Sequence, residues 1–159
     1  MPAMSDVKTP TKPAPAYEQD YFAWSKDQAA RIRAAKPGSI DWENVAEEIE
    51  SLGRSDKRAI ESDLNVVLVH LLKWAFQPDE RKRGWRSSIA EHRHRIAKRT
   101  KESPSLRNYP SVVLADEYAY ARQTAADETG LPESVFPRAC PFTIEQVLDP
   151  DFYPEPTRG

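Results

Sequence analysis

From Ser55 to Phe76 the chain keeps an unbroken helical period. Ile60, Leu64, Val67, Leu71 and Trp74 follow one another at steps of four, three, four and three, and Leu68 and Leu72 widen the stripe. Val66, Val69 and Phe76 add apolar positions off that stripe, so the helix must be covered from several sides. This predicts a central helix with the other segments arranged around it, and hence an all-α fold.

The flanking segments supply the cover. Near Asp20 an amphipathic first helix begins, with Tyr21, Trp24 and Ile32 on its core face, and it ends at Lys36-Pro37-Gly38. Asp41 is placed to cap a second helix with Trp42, Val45, Ala46, Ile49 and Leu52 inward. Gly53 is read as its left-handed C-terminal residue and Ser55 as the cap of the central helix, which makes a tight corner. Gln77-Pro78-Asp79 closes the central helix. A fourth helix, starting by about Gly84, carries Trp85, Ile89, His92 and Ile96 at steps of four, three and four until Ser103-Pro104-Ser105 breaks it. After Pro110 a fifth helix turns Val113, Leu114, Tyr118, Ala121 and Ala125 inward and stops at Gly130. Thr143 and Gln146 form the capping box of one further short helix.

Prolines number 14 against 5 glycines, and they fall between or beyond the helical patterns, so they punctuate elements instead of breaking them. At 159 residues the chain is long enough for one core. The expected architecture is a single compact helical bundle of about five main helices with a proline-rich, irregular C-terminal wrap. Residues 1–16, with Pro2, Pro10, Pro13 and Pro15, read as a disordered tail; 17–153 form the single helical domain, and 154–159 a C-terminal tail.

Composition narrows the function classes. A formal net charge of −2 gives no overall attraction to nucleic acid or acidic membranes. One cysteine, Cys140, can form neither an internal disulfide nor a thiolate-rich zinc site. The N-terminus lacks the apolar core of a signal peptide, and the strongest apolar run, Val66 to Leu72, is interrupted by His70. The expectation is a cytoplasmic protein that does not enter a membrane.

Three constellations bear on chemistry. His70 and His92 lie on helices expected to be antiparallel, and Glu47 or Glu48 could complete a two-histidine, one-carboxylate metal set. No pair has a ligand spacing within one helix, so two partly buried, hydrogen-bonded histidines are the simpler reading and no metal or cofactor is expected. The pairs Glu47-Glu48 and Asp116-Glu117 point about 100° apart on a helix and cannot share a cleft. Cys140 has only Arg138 nearby to activate it and reads as structural. With glycine too sparse for a phosphate-cradling loop, the chain does not read as an enzyme.

Charge segregation is the strongest signal. Asp79 to Arg107 holds ten Lys and Arg against four Asp and Glu, whereas Asp41 to Asp63 holds eight acids against three bases. Arg81, Lys82, Arg83, Arg86, Arg93, Arg95, Lys98, Arg99 and Lys101 form the candidate partner- or phosphate-binding set. The alternatives are solvated charges or pairing with the acids of the same molecule. The corner Leu52-Gly53-Arg54-Ser55 invites a helix-turn-helix reading, but Asp56, Glu61 and Asp63 on the following helix would be repelled by phosphates.

Several separated stretches resemble one family. They are Tyr17-Glu18-Gln19-Asp20-Tyr21-Phe22-Ala23-Trp24, Ala46-Glu47-Glu48-Ile49-Glu50-Ser51-Leu52-Gly53-Arg54-Ser55, His70-Leu71-Leu72-Lys73-Trp74, Gln77-Pro78, Gly130-Leu131-Pro132 and Cys140-Pro141-Phe142. In that order they resemble the bacterial family catalogued as domain of unknown function number twenty-nine, from about Tyr17 to Tyr153. The chain departs from it at Arg83-Gly84-Trp85, where the family more often has a serine before the tryptophan, and at positions 92 and 94, where the family has no fixed histidine. The resemblance implies a small helical bacterial protein and brings no catalytic residues. The leading expectation is a non-enzymatic protein–protein interaction module, binding itself or another protein through segregated acidic and basic faces; the alternative is a nucleic-acid-associated factor acting through the basic fourth helix.

Overall fold

The central element is longer than the periodicity suggested. In a computed structural model, which describes residues 17–35, 38 and 42–157, helix α2 runs unbroken from Trp42–Phe76. At 1.5 Å per residue it is about 52 Å long. Around it stand α1 (Tyr21–Ala35), α3 (Arg83–Glu102) and α4 (Tyr109–Thr129), with a short α5 (Ile144–Leu148) near the C-terminus. Single 3-10 turns lie at Pro78–Glu80, Pro104–Leu106 and Glu133–Val135, and the described residues contain no strand. The all-α expectation holds. The expected N-terminal tail, the Asp41 cap and the Lys36 and Pro37 of the first helix stop lie outside the described residues.

The predicted corner at Gly53 does not exist. Gly53 is an interior helical residue, Ser55 caps nothing, and the second and third expected helices are one. A glycine costs a helix about 1 kcal/mol relative to alanine, which a long helix with strong packing absorbs. Here the missing Cβ has a use: a methyl at Gly53 would stand 2.9 Å from Cδ2 of Phe22 and 3.0 Å from Oγ of the buried Ser25. Gly53 thus lets α1 cross close against α2. Arg54 then ties the turn together by pairing with Glu47 and, at 3.9 Å, with Glu50.

Helix α2 packs on α1 along its first half and on α3 and α4 along its second half, while α3 and α4 barely touch each other. The core is Leu64, Val67, Leu68, Val69, Leu71 and Leu72 of α2, Ile89 and Ile96 of α3, and Tyr118, Ala121 and Ala125 of α4. Phe136, Phe142 and Val147 enter it from the C-terminal segment. Each large aliphatic buried here contributes about 1.5–3 kcal/mol of transfer free energy. Trp42 and Ile49 are half-buried, and only Ala46 of the inward set expected for the N-terminal half is fully buried. Val45 and Leu52, read as core, are instead 39% and 51% exposed.

Caps follow the local sequence. The Asp20 carboxylate accepts from the Ala23 N–H at 2.9 Å at the start of α1, and also from the Ser105 N–H at 2.6 Å, so one side chain anchors α1 to the turn after α3. Gly130 closes α4 at φ +71°, and the Thr143–Gln146 capping box opens α5. Beyond position 153, Pro154 is buried and the Thr157 N–H donates to Ala75 O at 2.8 Å, near the C-terminal end of α2.

Replacing Gly53 by valine places methyl groups where Phe22 and Ser25 now sit. It should lower stability by about 1–3 kcal/mol in urea melts. Alanine should cost less, because gained helix propensity offsets part of the overlap. An unchanged midpoint for Gly53→Val would mean that α1 is not seated this closely.

Candidate functional site

The basic set of α3 and its approach divides into internal and external groups. Arg93 is 4% exposed, so it faces the interior and is withdrawn from any phosphate surface. Its Nε donates to Val147 O at 2.7 Å, and its Nη2 donates to Phe152 O at 2.9 Å and Gln146 O at 3.2 Å. These include last-turn carbonyls of α5, which have no partner within so short a helix. Burial pushes the Arg93 guanidinium down from its usual range, and three carbonyl dipoles hold the charge in place.

The neighbouring cations are also engaged. Arg81 lies over the Trp74 ring, 4.5 Å from its centroid, and its Nε donates to Trp74 O at 3.0 Å. Arg86 lies 4.8 Å above Tyr153. Arg99 meets Asp56 at 3.4 Å and Asp63 at 3.9 Å, while Arg95 pairs with Glu91 and reaches Asp63 at 3.9 Å. Lys98 makes only a 3.9 Å contact with Glu102. Lys82, Arg83 and Lys101 are exposed. The cations left to solvent therefore stand at the two ends of α3, about 27 Å apart from Arg83 to Lys101.

The acidic stretch of α2 is likewise partly matched from within. Arg33 of α1 meets Glu50 at 2.6 Å, Glu43 at 3.1 Å and Glu47 at 3.9 Å. The hydrogen bond from Arg33 holds the Glu50 carboxyl below its usual range.

The two histidines lie on the expected helices, but the expected third ligand does not join them. His92 donates through Nδ1 to the buried Asp63 at 2.7 Å, and His70 donates through Nδ1 to Val66 O at 2.8 Å. Glu47 and Glu48 lie more than twenty residues up the same helix from His70, about 33–35 Å away, and Glu47 is held by Arg33 and Arg54. Among the described residues no three His, Cys, Asp or Glu side chains converge as a metal would require. Burial lowers the His70 pKa. Burial also pushes the Cys140 thiol up, the reverse of an activated nucleophile.

One pairing escaped the sequence because its members are far apart in the chain. An open groove of about 470 Å³ between α2 and α4 is lined by Glu61, Ser62, Asn65, Val66, Glu117, Tyr120 and Thr124. Tyr109 donates its hydroxyl to Glu61, and its pKa is pushed up to about 12 by burial and then by that bond. Burial, followed by the charge of Glu61, raises the Glu117 carboxyl. The lining brings two carboxylates together with the hydroxyls of Ser62, Tyr120 and Thr124, and no cation stands among those residues.

The comparisons agree with the all-α fold. The sequence profile described as "Domain of unknown function DUF29" matches residues 16–153. No curated protein matches the chain. A crystal structure of an alpha-helical protein of unknown function from Rhodospirillum rubrum superposes with a TM-score of 0.68 at 26% identity, covering 87% of this chain and 92% of that one. Among the described residues no helix is long and apolar enough to cross a membrane.

Two outcomes follow. Arg93→Lys keeps the charge but loses the three-carbonyl fork, and should cost at least about 2 kcal/mol in urea melts. A smaller loss would show that α5 and Phe152 are held by other contacts. For His70 the fold favours the neutral ring. Its stabilising contribution is full above the unfolded value of 6.5 and is lost as pH falls through the lower folded value. His70→Gln should therefore shrink the stability loss between about pH 7 and pH 5; an unchanged loss would place the acid-sensitive group elsewhere.

Proposed function

We propose that this chain, which belongs to the family Domain of unknown function DUF29, is a non-enzymatic protein–protein interaction module of the cytoplasm. The module is the single helical unit 17–153, and it meets its partner through segregated acidic and basic surfaces. The observation that supports this reading over a nucleic-acid role is the fate of the cations on α3. Arg93 is internal, Arg81 is stacked, and Arg95 and Arg99 answer carboxylates of α2 and α3. A phosphate track needs several adjacent unpaired cations. Here Arg86 and Arg95 are exposed but engaged by Tyr153 and Glu91, and the exposed cations without such a close partner are Lys82 and Arg83 at one end of α3 and Lys98 and Lys101 toward the other. Glu48 and Lys101 are both exposed and face solvent, where a partner of opposite charge can reach them.

The nucleic-acid alternative makes a different demand on salt dependence. Neutralising several phosphates releases counterions, so affinity would fall steeply between roughly 50 and 200 mM salt. Fluorescence anisotropy with labelled duplex DNA and RNA should give a dissociation constant no tighter than about 10⁻⁵ M at physiological salt. The control variant changes Lys82, Arg83, Lys98 and Lys101 to glutamine and leaves the structural Arg93 intact. Nanomolar binding with a steep salt slope, lost in that variant, would replace the interaction module with the nucleic-acid factor.

A further inference from the structure

Helix α1 crosses α2 closely at Gly53, where the ring of Phe22 and the hydroxyl of Ser25 occupy the space a side chain would need. Beside that crossing lies a pocket of about 210 Å³ lined by Phe22, Lys26, Glu50, Arg54 and Lys57. Phe22 and Lys26 are four apart on α1, and Glu50, Arg54 and Lys57 follow at steps of four and three on α2. Each helix of this two-helix arm therefore presents one face to the pocket. Three of the five lining residues are cations. This inverts the composition of the arm: Asp41 to Asp63 is acidic, yet two of its three bases, Arg54 and Lys57, come to one place and meet a further cation from α1.

The one acid in the lining is neutralised from outside it. Arg33 donates to both oxygens of Glu50, at 2.6 and 3.3 Å. Arg54 in turn pairs with Glu47 and stands 3.9 Å from Glu50. That leaves Lys26 and Lys57, neither of which forms an ion pair among the described residues. Lys26 is exposed. Lys57 is half-buried, its Nζ 5.0 Å from the ring centroids of both Phe22 on α1 and Tyr109 on α4. Those rings attract an ammonium through their quadrupoles but offer it no oxygen acceptor. Two positive charges are thus in excess at one small pocket, one of them partly withdrawn from water, where an anionic oxygen is bound more strongly than at an open surface.

We propose that this pocket is a binding site for a single phosphate monoester group carried on a small apolar body. A monoester has a charge of about −1.5 to −2 at pH 7 and three acceptor oxygens, which match the two unpaired lysines and their N–H donors. A carboxylate, with one charge, would leave one lysine unanswered. Phe22 supplies the apolar wall. Size sets the upper limit: 210 Å³ is below the roughly 300–1,000 Å³ of pockets that enclose drug-sized ligands, so one phosphorylated group fits and a nucleotide does not. The site is a point and not a track, in keeping with weak binding of duplex nucleic acid. The ester could be a free small molecule or a phosphorylated side chain of the protein partner; the chemistry that the pocket recognises is the same.

Isothermal titration calorimetry of the full chain with phenyl phosphate, at about 150 mM salt, should show saturable one-to-one binding with a dissociation constant tighter than about 1 mM. Benzoate should bind at least about tenfold more weakly. Lys57→Gln should weaken phenyl phosphate at least about tenfold, and the more exposed Lys26→Gln at least about threefold. Lys26 has no partner among the described residues, so its variant should melt like the parent and its effect cannot come from misfolding. Arg83→Gln, on α3, is the control and should leave the affinity unchanged. Absence of saturable binding overturns the proposal, as does an unaltered affinity in Lys26→Gln, an equal loss in Arg83→Gln, or benzoate binding as tightly as the ester. A five-residue peptide with one phosphotyrosine separates the two sources. Binding at least as tight as phenyl phosphate, absent from the unphosphorylated peptide, assigns the site to a partner's side chain; weaker binding assigns it to a free ester. The α3 cations changed in the nucleic-acid test do not line this pocket, so the two readings can fail separately.

Discussion

A helix that is apolar around most of its circumference has to be enclosed, and the second half of α2 is such a helix. Two sides are taken by α3 and α4. The cover is completed by the C-terminal segment, which is mostly irregular and so brings carbonyls that no helix or sheet ladder satisfies. Side chains of the flanking helices answer them. Arg93 of α3 binds Val147, Gln146 and Phe152; Tyr118 of α4 donates to Pro137 O at 2.6 Å, and Arg122 to Phe136 O at 3.0 Å. The apolar cover is thus held in register by polar donors.

That division of labour explains what could be read from sequence. Apolar periodicity located α3, α4 and the second half of α2, and local chemistry located Gly130 and the Thr143–Gln146 box, because both signals are carried within a few residues. Gly53 is ambiguous in sequence because a glycine near a helix-like boundary has the same local meaning whether it ends the helix or admits a neighbour. Only Phe22, thirty-one positions earlier, tells the two apart. Arg93 is ambiguous in the same way, because a guanidinium in a basic run looks the same whether it faces phosphates or carbonyls. A signal was present, however. Ile89, Arg93 and Ile96 are spaced by four and three, which places Arg93 on the buried face as well as His92 does.

The electrostatics divide in the same way. Local composition correctly separates an acidic α2 arm from a basic α3, but composition cannot show how far each run is answered by the other elements. Asp56 and Asp63 of α2 take up Arg99, Arg95 and His92, while Arg33 and Arg54 take up Glu43, Glu47 and Glu50. The exposed pairs among these, such as Arg54–Glu47 and Arg33–Glu43, contribute little stability each, typically below about 1 kcal/mol. Their greater effect is on surface character, because they shorten the continuous basic field on which a phosphate-binding role would depend. The Glu61–Glu117 groove is the converse case, since its two carboxylates become neighbours only through the packing of α2 on α4.

The same contrast bears on the arm. Single exposed apolar side chains are common and need no explanation. Val45, Ile49 and Leu52 are different because they continue, in phase, the seam that α3 closes farther along the same helix. A sequence that needed only a solvated face there could carry polar residues at those positions without disturbing Ala46 or Gly53, which make the contact with α1. The periodicity that marked Val45 and Leu52 as core positions therefore remains informative although both lie in solvent.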